Sequence, residues 1–217
     1  MAVFVASEPV NMNSQLQREF GAANQLHKFI DNSKEIFVGG QVQSLNAVLF
    51  IDFRSLPSHP FTYNHGHLTG GMISAITVDL NAQEQFKFTG LDTPIVLFEK
   101  DIAEHNLHAA TELLLKGNDR IIGSPGDDVL LGGAGYNTLV FKGTFGHDTI
   151  ADWSALDKIA FAFETNLDSY VEVLRDSHIS HGEFVFVDPN NPNNTVTIPA
   201  IDEKTDLRPS ELLFLHH

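Results

Sequence analysis

The stretch that decides the fold is Lys116-Gly117-Asn118-Asp119-Arg120-Ile121-Ile122-Gly123-Ser124-Pro125-Gly126-Asp127-Asp128-Val129-Leu130-Leu131-Gly132-Gly133-Ala134-Gly135-Tyr136-Asn137-Thr138-Leu139-Val140. After Phe141-Lys142 it continues as Gly143-Thr144-Phe145-Gly146-His147-Asp148-Thr149-Ile150. Gly117, Gly126 and Gly135 stand nine residues apart, and Gly146 follows after eleven. Each unit has a glycine-rich half, which can take positive φ and turn tightly, and a half ending in a lone aliphatic residue. Ile121, Leu130, Leu139 and Ile150 are those aliphatics, each the one inward side chain of a minimal strand.

A turn and a short strand repeated in register make a parallel solenoid, in which each coil buries its apolar residue only against its neighbours. The turn carbonyls and the Asp at the sixth position offer hard oxygen ligands of the kind Ca²⁺ prefers. The spacing alone indicates only a solenoid with acidic turns.

The pattern resembles the RTX, or haemolysin-type, nonapeptide family, whose consensus is a calcium-binding β-helix signature. The calcium assignment follows from that resemblance. It implies that two nonapeptides complete one coil, so that turns two repeats apart stack and share an ion. Asp119 then faces Asn137 on one side, and Asp128 faces Asp148 on the other. The implied metal residues are Gly117, Asp119, Gly126, Asp128, Gly133, Gly135, Asn137, Gly146, Asp148 and Asp157, for one or two Ca²⁺ ions. Asn137 departs from the consensus with a neutral amide, and the Phe141-Lys142 insertion disturbs the register before Asp148. A second match follows the array: Asp148-Thr149-Ile150-Ala151-Asp152-Trp153 and Asp157-Lys158-Ile159 are similar to sequences that close RTX regions in serralysin-type proteases.

The 217 residues are 42% hydrophobic, enough for a core, and carry a net charge of -15. So acidic a chain disfavours nucleic acid, having few cations to displace phosphate counterions. It contains no cysteine, so neither disulfides nor thiolate metal sites support the fold. The start, Met1 to Val10, lacks the basic region and apolar core of a signal peptide, and no window reaches transmembrane length. The RTX resemblance nevertheless implies a secreted protein. It would leave through a type I exporter on an uncleaved C-terminal signal, compatible with Ser210-Glu211-Leu212-Leu213-Phe214-Leu215. A cell-surface polysaccharide or a host surface is a further partner class for such a protein.

The expected fold is mainly β with a few helices. Residues 1–100 read as a β-rich N-terminal domain with a leading helix over 13–31, and 101–116 as a helix capping the roll. Residues 117–152 are the parallel β-roll. Residues 153–217 are a C-terminal β-cap containing a hairpin of Gly182–Val187 with Thr195–Ile198.

Several candidate sites have a plainer reading. His65 and His67 could ligate a metal or face haem, but two ligands are few and alternation along a strand explains them. His105 and His108, three apart on the expected helix, lack the His-Glu-x-x-His order of zinc proteases. Asp188–Asn194 begins like an EF-hand, yet Pro192 stands where an acidic ligand belongs. No catalytic motif is recognisable. An effector role for residues 1–100 remains the alternative, as a carbohydrate, adhesion or haem module or a hydrolase.

Overall fold

The strands of this chain divide between two units. A computed structural model describes residues 1–12, 14, 19–20, 26–42, 46–162, 165, 167, 169–199, 201 and 207–215. The first unit comprises Met1–Phe4 and Ser14–Lys116; the second comprises Val5–Asn13 and Gly117–His217.

Antiparallel pairing dominates the first unit. Its strands are the start of β1 (Val3–Ala6, of which Val5 and Ala6 belong to the second unit), β2 (His27–Asp31), β3 (Glu35–Val42), β4 (Ala47–Ser55), β5 (Thr62–Asn64), β6 (His67–Gly70), β7 (Met72–Leu80) and β8 (Gln83–Pro94). The main sheet runs β1-β8-β7-β4-β3-β2, with β5 and β6 forming a separate hairpin. Alternation along β4 buries Ala47, Leu49, Ile51 and Phe53 on one face, as a half-covered strand requires. The β7–β8 hairpin turns on Asn81 and Ala82, both at positive φ (54° and 64°), where the Asn side chain also accepts a hydrogen bond from Val48 N–H. Helices α1 (Ile95–Ala103) and α2 (Leu107–Leu114) follow β8. Ile95, Phe98 and Ile102 form the buried stripe of α1, and Phe98 meets Phe20 edge-on at 5.3 Å.

Two expectations change here. The leading helix does not reach residue 31, because His27–Asp31 is β2, paired antiparallel with β3. The chain reverses at Asn32, whose side-chain oxygen accepts from the N–H groups of Lys34 and Glu35, a local turn that sets up the hairpin. Glu19 and Phe20 are helical, and most of the remaining 13–25 lies outside the described residues. The single helix expected over 101–116 is instead α1 and α2, because His105 takes φ 56° between them. Pro94 starts the first of these earlier than the expected boundary, as a residue with fixed φ of -61°.

The second unit alternates between two faces as the chain advances. β9 (Arg120–Ile122), β11 (Thr138–Phe141), β13 (Lys158–Ala162) and β17 (Leu212–Leu215) pair in parallel on one face. β10 (Val129–Leu130), β12 (His147–Ile150) and β16 (Thr195–Pro199) pair in parallel on the other. Antiparallel β15 (Glu183–Val187) and β14 (Ser177–Ser180) extend that second face after the short helix α3 (Tyr170–Arg175). Every second repeat is therefore a neighbour, as the nonapeptide reading expects. The four repeat aliphatics, Ile121, Leu130, Leu139 and Ile150, are fully buried.

Parallel stacking runs past the recognised repeats. β13 and β17 continue the first face, so the run Leu212–Leu215 is a sheet strand, and β16 continues the second. The Phe141-Lys142 insertion does not break the stacking. Thr138 pairs with Arg120, eighteen residues back, whereas Thr149 pairs with Val129, twenty back, so the two extra residues lengthen the connection at Gly143 and leave Asp128 beside Asp148.

Candidate metal centre

Glycine makes the stacked turns. Gly135 has φ 126°, and a Cβ there would lie 1.8 Å from the carbonyl oxygen of Gly117, so only glycine lets one turn sit on another. Gly146 stacks on Gly126 in the same way, its Cβ position 2.8 Å from the Gly126 oxygen. Gly133 also has positive φ, and its N–H and that of Gly132 both bond the Asp152 carboxylate at 2.8 Å.

The sixth-position side chains form two ladders inside these turns. On the first face Asp119 N–H donates to Asn137 Oδ1 (2.9 Å), and Asn137 N–H donates to Asp157 Oδ1 (2.9 Å). On the second face Val10 N–H donates to Asp128 Oδ1 (2.5 Å), and Asp128 N–H donates to Asp148 Oδ1 (2.9 Å). All five side chains, Asp119, Asn137, Asp157, Asp128 and Asp148, are buried. The residues expected to pair do pair, and Asp157 joins the Asp119–Asn137 ladder as its third member.

On the second face the carboxylates converge. Asp148 Oδ2 is buried and accepts no hydrogen bond. An ideal Cβ on Gly123 would stand 2.7 Å from Asp128 Oδ2 and 3.5 Å from Asp148 Oδ2, so one small volume beside Gly123 faces an oxygen from each side chain. Burial pushes the Asp148 carboxyl up to about 9. The Asp128 N–H pulls it down, and the charges of Asp128 and Asp127 add to the rise. Burial likewise raises Asp128 and Asp157. A buried, unsatisfied carboxylate is costly, and either a proton or a cation relieves it.

The donor set suits a hard divalent ion: carboxylate oxygens, turn carbonyls and no nitrogen or sulfur ligand. Among the described residues no three His, Asp or Glu side chains cluster as a metal site, so an ion held by this pair draws its remaining ligands from the main chain or water.

Other candidates do not converge. His65 occupies the β5–β6 turn with φ 50°, and His65 and His67 are both exposed. His105 sits at the break between α1 and α2, so the shared helix face expected for His105 and His108 does not form; His108 Nε2 lies 3.3 Å from Glu112. Asp188–Asn194 closes the β15–β16 hairpin, with Asp188 Oδ1 accepting from Asn190 N–H.

Sequence reading missed three contributors. Gly123 and Ser124 stand five and four residues before Asp128, and Ser124 N–H bonds Asp128 Oδ2 at 2.6 Å. Their signal was in the register, since Gly132 and Gly133 occupy the same places before Asn137. Val10 had no signal. It reaches Asp128 from 118 residues away, and Val129 N–H donates to Val10 O (2.7 Å) while Met12 N–H donates to Val129 O (2.8 Å). The segment thus occupies the rung that an earlier repeat would supply.

Residues 115–139 match the family model of the RTX calcium-binding nonapeptide repeat (4 copies). The chain therefore carries RTX calcium-binding repeats. A search of curated proteins found no match.

Proposed function

We propose that this is a secreted calcium-binding protein whose repeat region, a short parallel β-roll, folds around Ca²⁺ held between the Asp128 and Asp148 turns. The observation that carries the reading is the convergence of Asp128 Oδ2 and Asp148 Oδ2 beside Gly123, with the latter oxygen buried and unpartnered. The match to calcium-binding repeats supports the choice of ion. In this reading Asp128 and Asp148 supply charge, and Gly126 and Gly146 allow turn carbonyls to approach. When bound, the ion takes over from the proton that burial favours on Asp148 and neutralises both carboxylates. Because folding assembles these ligands, the energy of binding is energy of folding.

Extracellular calcium modules bind at about 10⁻⁴–10⁻³ M, so such a site stays unfilled in the cytosol and fills outside. Type I export in an unfolded form, followed by calcium-driven folding, fits that difference. RTX repeats are typical of secreted proteins, and no described helix is long and apolar enough to cross a membrane. The decisive experiment is calorimetric titration of chelator-stripped protein with Ca²⁺ and then Mg²⁺, followed by far-UV circular dichroism. Millimolar Ca²⁺ should bind and increase strand signal, with Mg²⁺ far weaker. Stripped protein that is already fully ordered and ignores Ca²⁺ would sink the reading.

A further inference from the structure

We infer that Asn137 takes the place of a cation on the Asp119–Asn137–Asp157 side of the coil, so that calcium is held on the Asp128–Asp148 side alone and one ion binds per chain. The inference rests on the calcium reading above and adds a count and the residue that sets it.

Asn137 and Asp128 occupy equivalent positions on opposite faces. Each follows a glycine by five residues, and each uses Oδ1 to accept a main-chain N–H from the rung before it: Asp119 N–H for Asn137, Val10 N–H for Asp128. Their second atoms differ. An ideal Cβ on Gly123 meets Asp128 Oδ2 at 2.7 Å, and the same construction on Gly132 meets Asn137 Nδ2 at 3.0 Å. The volume that faces a carboxylate oxygen on one side thus faces an amide NH₂ on the other.

The orientation of this amide is fixed by its neighbours. Oδ1 must be the atom nearest Asp119 N–H, because an NH₂ there would oppose donor to donor. Nδ2 is then left to donate, and it finds two acceptors, Gly133 O at 3.2 Å and Asp157 Oδ1 at 3.0 Å. A turn carbonyl and a carboxylate oxygen are what a calcium ion would bind. The amide satisfies both with hydrogen bonds and carries no charge. Asp157 is further engaged, with Oδ1 accepting Asn137 N–H (2.9 Å) and Oδ2 accepting Ser154 N–H (3.1 Å). For an ion to enter, Asn137 would have to swing away and leave a buried N–H donor unsatisfied. Between Asn137 and Asp157 the amide therefore stands where Ca²⁺ would need an open acceptor.

Asn137→Asp turns the donor into an acceptor and restores a carboxylate between Asp119 and Asp157. Calorimetric stoichiometry of wild type and Asn137→Asp, each stripped and titrated with CaCl₂, tests the idea. One ion in the wild type and two in the variant is the expected result, the second in the range of about 10⁻⁴–10⁻³ M. Two ions in the wild type, or an unchanged count in the variant, overturns the inference. No ion in the wild type but one in the variant removes the calcium reading while keeping the role of Asn137; none in either removes both. Should Asn137→Asp fail to fold, Asp119→Asn serves instead. It should leave wild-type affinity and count unchanged, and a fall of tenfold or more would refute the assignment.

Discussion

The two units solve the same problem with opposite materials. In the first, the sheet face of β4, β7 and β8 buries Leu49, Ile51, Ile76, Phe86 and Phe88, and ordinary apolar burial is enough. In the second, each repeat buries its aliphatic residue and also draws a carboxylate or amide inside its turn. Phe86 touches Phe4 and Phe88, whereas Asp148 Oδ2 touches no donor. The difference teaches that stacked nine-residue repeats bury polar side chains as hydrogen-bonded ladders beside their apolar ones, where the sheet of the first unit relies on apolar contact.

The largest effect should come from the first unit. Phe86→Ala should cost about 3–5 kcal/mol in urea unfolding, by the same amount in chelator and in calcium. Rescue of this variant by calcium would erase the contrast. Next, calcium at a hundredfold over its dissociation constant should add about 2.7 kcal/mol to the second unit. Hydrogen exchange should slow in β10, β11 and β12 and stay unchanged in β4 and β7; equal slowing throughout would contradict it.

Asp148→Asn should act with opposite signs. It removes the cost of taking up a proton that a buried carboxyl incurs when the chain folds at neutral pH, so the stripped coil should hold or gain stability, while calcium affinity should fall tenfold or more, about 1.4 kcal/mol. Loss of stability in both conditions would show that Asp148 serves packing alone. A related pH trend follows for stripped protein. The folded Asp148 carboxyl, raised by burial to about 9 from 3.8, keeps a proton that the unfolded chain has shed. That contribution is complete below the unfolded value and fades as pH climbs, so the stripped coil should melt earlier at pH 8 than at pH 5. Calcium should flatten the trend.

The smallest change should be Arg54→Met. Its exposed pairs with Glu35 (2.9 Å) and Asp52 (2.8 Å) are solvent-screened, and urea unfolding should move by about 0–1 kcal/mol.

Much of the coil was legible because its rules are local. A glycine that must accept positive φ and an aliphatic that must point inward recur at fixed spacing, so Gly135, Ile121 and Leu139 announce their roles without any distant partner. The first unit was legible as β-rich from its alternation, yet β2 was hidden, because whether Lys28–Ile30 extends as a strand depends on the hairpin it makes with Val38 and Phe37. The break at His105 was hidden for the same kind of reason, as a single positive φ leaves little trace in composition.

The repeat period, the buried aliphatics and the acidic character of the turns were thus written in the order of residues, since each follows from the conformational reach of one residue type. Other features required the folded chain: Val10 standing as a rung against Asp128, β17 closing one face, and Asn137 turning an amide toward Asp157. These are meetings between segments far apart in sequence, and which atoms meet is decided only when the whole chain has closed around them.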